Sequence, residues 1–284
     1  MKIKVVMDSG GLMNKQEANQ LGIDYLPLQV MINGQTYMDG VDLDRDFLYD
    51  QMEKGAKVQT SLPPLGLVDE LFQEYKNTGI TDVVLITLSN ALSSTNEKVQ
   101  IMGQEHGLHM HTLDIYSTLG MEKYMAIYAK RMVDEGLDPE TIIARLKESV
   151  DRSCGYLIVE DLDHLAKGGR LTPMAAKLGG MLKIKPILRV SKDTKGRVDI
   201  YDKVRTMKRA IKQTCEIISQ DPQLNAKDYQ IVIMDSRARG YAQYAQDMLE
   251  LLVPGIEIER DDLCPVINCH TGMGSIGIQY IYRR

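Results

Sequence analysis

The chain has 284 residues, room for about two domains at roughly 150 residues each and enough to bury a large core. Apolar residues make up 44% and charged residues 26%, a globular balance that excludes a mainly disordered chain. The net charge of −5 speaks against a sequence-independent nucleic-acid binder, which needs a basic surface.

The longest unbroken apolar run, 124–129, is six residues, whereas a membrane span needs about 18. At the N-terminus only 5–7 is apolar, too short for the core of a signal peptide. No membrane insertion and a cytoplasmic location are therefore expected. The four cysteines, Cys154, Cys215, Cys264 and Cys269, show no C-x-x-C spacing and read as reduced thiols. Trp is absent, Phe occurs twice, and Met is plentiful at 17. Met either replaces Phe in an ordinary core or lines an adaptable apolar pocket.

In chain order, 2–7 reads as a buried strand ending at Asp8-Ser9-Gly10. A second extended run, 25–32, ends in Asn33-Gly34, a strong turn dipeptide. Residues 44–54 read as a helix with Asp42 or Asp44 as N-cap, and 64–77 as a helix with Val68, Leu71, Phe72 and Tyr75 on one stripe. The β-branched run 83–88 is a buried strand. Residues 94–104 and 119–135 read as helices around a strand at 109–114. Asp138-Pro139-Glu140 starts another helix, with Asp as cap, Pro at the first helical position and acids at the positive dipole end. This alternation predicts a mostly parallel sheet with helices on both faces. After about residue 150 the pattern changes. Strands at 155–160, 184–190, 197–203, 230–234, 256–260 and 275–282 and helices at 206–220 and 238–252 predict a second unit with antiparallel pairing, 184–190 and 197–203 forming a hairpin across Lys195-Gly196. The expectation is an α/β protein with an N-terminal domain at 1–150, Rossmann-like in its parallel sheet, and a C-terminal domain at 151–284 with a mixed or antiparallel sheet.

Three patterns are decoys. Gly272-Met273-Gly274-Ser275-Ile276-Gly277 matches G-x-G-x-x-G, but that fingerprint needs a helix after the glycines, and a strand follows here. His106, His109 and His111 form H-x-x-H-x-H, with His109 and His111 on one strand face, yet only Glu105 stands near to complete a metal site. Cys264, Cys269 and His270 fit no common zinc spacing, so no metal is expected.

Three turns are richer in chemistry. Thr60-Ser61-Leu62-Pro63-Pro64 precedes a helix, Ser89-Asn90-Ala91-Leu92-Ser93-Ser94-Thr95 joins a strand to a helix, and Cys269-His270-Thr271-Gly272 precedes the last strand. In open α/β sheets ligands bind beyond the carboxyl ends of strands. Hydroxyls together with helix N-terminal N–H groups can cradle an anion there. The competing reading is that Thr60, Ser61 and Ser93 are ordinary N-caps. Basic residues accompany these turns in Lys167-Gly168-Gly169-Arg170, in alternate positions at Lys183 and Lys185, and in Lys203-Val204-Arg205 before Thr206. They form either one functional patch or a solvated surface.

Taken in order, these segments resemble the DegV family across nearly the whole chain. Met7-Asp8-Ser9 resembles its T-D-S, Tyr37-Met38-Asp39-Gly40-Val41 its Y-x-D-G-V/I turn, and Thr60-Ser61-Leu62-Pro63 its T-S-Q-P. Residues 89–95 resemble S-S-G-L-S-G-T, 163–170 the L-x-x-L-x-K-G-G-R signature, 182–188 L-L-N-I-K-P-I-L, Lys203-Val204-Arg205 K-V-R, and 264–274 P-V-I-G-x-H-T-G-P-G. Departures are Asn90, Ala91 and Ser94 in the second loop, Leu62 and Pro64 in the first, Asn268 and Met273 near the end, and 114–120, which is one residue short of D-S-x-x-A-S-x-G.

The resemblance implies a two-domain protein holding one long-chain fatty acid between its domains. In bacteria with the pathway, such proteins present the acid to an ATP-binding fatty acid kinase, which phosphorylates the carboxylate to an acyl phosphate. The carrier is not itself an enzyme and needs no cofactor. By motif match, Thr60, Ser61, Ser93, His270 and Thr271 would contact the carboxylate, a protonated His270 adding a charge-assisted bond. Arg170 and Arg205 would face the kinase or support the anion. Two alternatives stand beside it: a lipid or ester hydrolase using Ser93 and His270, and a carrier of a different anionic lipid.

Overall fold

The computed structural model describes residues 2–177 and 184–283. The chain divides into two compact units. The first runs to Glu148 and takes in the later segment Cys264–Cys269, and the second holds Ser149–Leu263 and the chain from His270 onward.

The first unit contains β1 (Ile3–Asp8), α1 (Lys15–Gln20), β2 (Asp24–Leu26), β3 (Gln29–Ile32), β4 (Gln35–Met38), α2 (Arg45–Glu53), β5 (Val58–Ser61), α3 (Leu65–Thr78), β6 (Asp82–Ile86), α4 (Thr95–Glu105), β7 (His109–Thr112) and α5 (Gly120–Asp134). Helix α6 (Pro139–Asp151) leads out of it. Four strands form an all-parallel sheet in the order β2-β1-β6-β7. Strand residues alternate between faces. Val6, Val83 and Leu85 therefore share one face and pack with Val68, Phe72 and Tyr75 of α3 and Val99 of α4. The stripe expected on 64–77 is the core side of α3. Val5, Met7, Val84 and Ile86 on the opposite face are equally buried. Helix α5 lies along β1 and β6 and buries Met121, Met125, Ala126 and Ala129. A strand buried on both faces needs no polar alternation, which is why β6 reads as one apolar run.

A three-stranded antiparallel sheet, β4-β3-β5, completes the unit. Asn33 and Gly34 close its hairpin with φ of 49° and 90°, as a two-residue turn between right-twisted strands requires. The single extended run expected at 25–32 is two strands in different sheets. Pro27 stands at the break, and a proline has no N–H to continue a ladder. Leu28 N–H turns instead to the Ser9 hydroxyl, at 3.0 Å.

The second unit contains β8 (Cys154–Ile158), α7 (Leu162–Lys167), α8 (Pro173–Ala176), β9 (Lys185–Val190), β10 (Asp199–Val204), α9 (Met207–Ser219), β11 (Tyr229–Asp235), α10 (Arg239–Leu252), β12 (Glu257–Asp262), the end of α11 (Pro265–Thr271) and β13 (Ile276–Tyr282). Its sheet runs β10-β9-β8-β13-β11-β12. Only β11 and β12 pair in parallel, and the other neighbours are antiparallel. Tyr156, Ile158, Ile231, Ile233, Ile276 and Ile278 pack on Met207, Ile211, Ile218 of α9 and Ala242, Ala245, Leu249 of α10. Both helices present a full apolar stripe, and Thr206 caps α9 by accepting the Arg209 N–H at 3.3 Å.

The turn expected before the last strand is the end of helix α11. Seven residues, most of them β-branched or polar, carry too little helical periodicity to be read as one. After Gly274 the chain enters β13, so the G-x-G-x-x-G match leads into a strand and offers no pyrophosphate a helix N-terminus.

Candidate functional site

The parallel sheet reverses its winding between β1 and β6, since β1 leads to β2 on one side and β6 to β7 on the other. The crevice beyond the carboxyl ends at such a switch point is where open α/β sheets hold ligands. The loop after β6 is the Ser89–Thr95 hydroxyl segment. Ser89 anchors it: its N–H reaches Ser117 O at 2.8 Å, its carbonyl takes the N–H groups of Leu92 and Ser93, and its hydroxyl accepts the Ala91 N–H at 3.2 Å. Asn96, buried at the start of α4, ties the loop to its neighbours by donating to the Thr87 hydroxyl and accepting from that of Thr112.

Ser93 is half-buried. Its Oγ accepts the Thr95 N–H at 3.2 Å and lies 2.8 Å from the Thr95 hydroxyl. When Thr95 donates, Ser93 accepts twice and its own proton is left to donate outward, which is what a carboxylate needs. The helix cap position is Ser94, which makes no side-chain cap bond. Asn90, Ala91 and Ser94, where the family pattern differs, have negative φ. The loop therefore needs none of the backbone freedom of glycine at those positions. Strain sits instead at 114–120, where Tyr116 and Leu119 have φ of 50° and 60°.

Thr60 and Ser61 are not caps. They lie on β5, opposite Val30 and Gln29, and α3 starts at Leu65 with Pro64 in the cap position. Thr60 is half-buried and Ser61 exposed. Gln29 Nε2 donates to Leu62 O at 2.7 Å and holds the turn that follows.

In the second unit α7, capped by Asp161, ends at Gly168. This brings Gly168, Arg170, His164 and His270 together. A Cβ built on Gly168 would lie 2.9 Å from His270 Nδ1, and one on Gly272 would lie 3.2 Å from His164 Cδ2. Burial, with Arg170 and His164 adding positive charge, pushes the His270 pKa down to about 4. His270 is therefore a neutral imidazole near pH 7, able to donate one N–H, and not the imidazolium that a charge-assisted bond would require. Thr271 is buried, and its carbonyl accepts the Ser275 hydroxyl at 2.9 Å. Arg170 is half-buried and donates to Gly168 O, and burial lowers its pKa. Arg205 is exposed on the residue before the α9 cap. His164 was not singled out in the sequence. Within the second unit the fold sets it beside Gly272 and His270.

The described basic residues differ in their surroundings. Lys185 Nζ is held by the carbonyl and carboxylate of Glu160 at 2.6 Å. Lys203 is exposed like Arg205, and Lys183 lies outside the described residues. Among the described residues no group of three His, Cys, Asp or Glu side chains is arranged to hold a metal. The histidine triplet has plain partners: His106 on Asp69 at 2.8 Å, and His111 and His109 on the same oxygen of Asp82 at 2.9 and 3.5 Å. No helix is long and apolar enough to cross a membrane among the described residues.

A family model described as "Uncharacterised protein, DegV family" matches residues 2–283. A DegV domain-containing protein of Streptococcus pneumoniae is 30% identical over 283 residues, 99% of each chain. The crystal structure of a fatty acid binding DegV family protein from Streptococcus agalactiae superimposes with a TM-score of 0.90 at 28% identity, covering 100% of this chain and 99% of that one. DegV from Bacillus subtilis, described as a fatty acid binding protein, gives 0.87 at 28% identity, with both chains fully covered. With the family model matched over 2–283 and a relative 30% identical over 99% of each chain, this protein belongs to the DegV family.

Proposed function

We propose that this protein is a cytosolic carrier of one long-chain fatty acid, and that it presents the carboxylate to an ATP-binding kinase that converts it to an acyl phosphate. The observation that carries the reading is the full-length likeness, at 28% identity, to two structures described as fatty acid binding. In this reading Thr60, Ser61, Ser93, His270 and Thr271 supply neutral donors to the carboxylate. Such donors suit the task, since a carboxylate removed from water must be hydrogen-bonded. The tail provides most of the affinity at about 0.8 kcal/mol per buried methylene, so one methylene more or less discriminates weakly. No cofactor and no catalytic residue are required of the carrier.

The hydrolase alternative is disfavoured by His270. A base that activates a serine works best with a pKa near the operating pH and with an orienting acid behind it. Burial, with Arg170 and His164 beside it, pushes the His270 pKa down to about 4, well below the range of an effective base at neutral pH.

Denaturing extraction and mass spectrometry of the purified protein test the reading. A stoichiometric long-chain fatty acid is expected, and a folded protein carrying none would overturn it. A different acidic lipid would support the second alternative. Ser93→Ala should weaken fatty-acid binding by about 1–3 kcal/mol, the usual cost of leaving a charged acceptor one donor short. Arg205→Ala should leave the extracted lipid unchanged and slow acyl phosphate formation with ATP and kinase. Loss of lipid in that variant would move Arg205 from the partner face to the anion.

A further inference from the structure

At the carboxyl end of β1 the first unit buries three carboxyl groups. Asp8 and Glu122 are 0% exposed and Asp39 1%. Asp39 is provided for: its Oδ2 accepts the Val266 N–H at 3.0 Å, and the Ser9 hydroxyl and Arg45 also act on it. Asp8 Oδ1 accepts the Gly10 N–H at 2.7 Å. The other three oxygens, Asp8 Oδ2 and both of Glu122, have no hydrogen-bond partner among the described residues. The Gly11 N–H favours the ionised form of Glu122 but falls short of hydrogen-bond geometry. The two acids are neighbours, because a Cβ at Gly10 would lie 2.7 Å from Glu122 Oε2 and 2.9 Å from Asp8 Oδ1.

Two ionised carboxylates side by side in a dry interior repel, and neither can donate to the other. One proton removes both faults, since a Glu122 O–H can donate to Asp8 and leave a single charge on the pair. We propose that Asp8 and Glu122 form a buried proton-binding site which holds one shared proton at neutral pH, with Glu122 as donor, and that loss of this proton loosens the first unit. Among the described residues no group donates a hydrogen bond to the three orphaned oxygens. Asp39 faces the pair with charge of the same sign and acts on both acids. Tyr25 of β2 and Cys264 before α11 are buried acids kept neutral by desolvation, and Arg45 of α2 acts on Asp39 and Cys264. On Asp8 itself Glu122 and the N–H groups of Gly10 and Leu88 also act.

Burial pushes the Asp8 pKa up to about 6, and burial with the Asp8 charge pushes Glu122 well above the carboxylate range. A carboxyl raised in the folded state contributes stability that is complete below its unfolded value, 3.8 for Asp8 and 4.5 for Glu122. That stability is lost as pH rises through the folded value. The fall therefore begins near the unfolded values of 3.8 and 4.5; the Asp8 share is spent at about pH 6, and the Glu122 share continues to higher pH.

The test is thermal unfolding of the full chain from about pH 5 to about pH 9, for wild type and Glu122→Gln. The amide donates to Asp8 and does not titrate. The wild-type Tm should fall as pH rises, and the advantage of Glu122→Gln over it should widen with pH. Asp8→Asn should narrow the wild-type fall in the same way, and it decides the matter if Glu122→Gln fails to fold. Infrared difference spectra should show a protonated-carboxyl C=O band in wild type that Glu122→Gln lacks. Parallel Tm curves, or absence of that band, would overturn the proposal. So would stabilisation at high pH by sodium chloride over choline chloride at equal ionic strength, lost in Glu122→Gln, because a metal cation and not a proton would then occupy the pair.

Discussion

Gly40→Ala is expected to destabilise the protein by about 3–5 kcal/mol, at the upper end of single-residue effects. Two causes add. Gly40 has φ of +71°, where an L side chain strains the backbone. The new Cβ would also lie 2.1 Å from Tyr25 Oη, 2.9 Å from its Cζ and 3.3 Å from Asn14 Cα. Neither neighbour yields easily. Tyr25 is a buried core ring whose hydroxyl donates to Asp39 O at 3.3 Å. Asn14 is the N-cap of α1, in a capping box with Glu17. Moving Tyr25 therefore disturbs Asp39, which holds the Val266 N–H in the returning segment. Urea unfolding of the full chain measures the loss. Gly34→Ala is the control, since Gly34 has φ of +90° and nothing within 4 Å of its Cβ. It should cost only the backbone strain, about 1 kcal/mol. Equal losses in the two variants would mean that the Tyr25 ring moves aside at no cost.

This pair also shows what kind of information the sequence carried. Tyr37-Met38-Asp39-Gly40-Val41 was legible as a family turn, but its physical reason, a phenol pressed against Gly40, exists only after β2 and the turn meet. The elements that were legible are those whose local chemistry agrees with the fold. The Val68–Phe72–Tyr75 stripe became the core side of α3, Asn33-Gly34 a hairpin turn, and Thr206 a cap. The strands β4 and β5 were missed because four polar-rich residues in an edge position show no hydrophobic alternation. The 25–32 run was misread because Pro27 breaks the ladder without interrupting the apolar pattern. In the site, the hydroxyl loops were visible but ambiguous between caps and ligand donors. The structure takes Thr60 and Ser61 out of the cap position by putting them on β5, and it bonds Ser93 to the Thr95 N–H at the start of α4. The charge state of His270 was not legible at all. It depends on burial and on Arg170 and His164, which stand far from it in sequence.

Gly168→Ala should weaken fatty-acid binding by roughly ten- to a hundredfold, about 1.4–2.8 kcal/mol, while leaving the fold nearly as stable as before. The backbone at Gly168 is ordinary right-handed helix, with φ −68° and ψ −15°. Alanine is therefore conformationally welcome there, and it even restricts the unfolded chain. What it meets is His270. The added Cβ would lie 2.9 Å from Nδ1 and 3.6 Å from Cγ of that ring, and 3.2 Å from the Leu165 carbonyl. The carbonyl belongs to α7 and stays, so the imidazole must shift by several tenths of an ångström. A hydrogen bond to a carboxylate weakens steeply with such a displacement, and in the proposed site His270 and Thr271 are adjacent donors that move together. Gly169→Ala supplies the opposite pattern, because Gly169 has φ of +72° with nothing within 4 Å. It should cost about 1 kcal/mol of stability and leave binding intact. Fatty-acid affinity measured beside urea unfolding in both variants separates ligand contact from scaffold. If Gly168→Ala binds as the wild type does, His270 takes no part in holding the carboxylate, and the anion must be sought on the hydroxyls of Thr60, Ser61 and Ser93 alone.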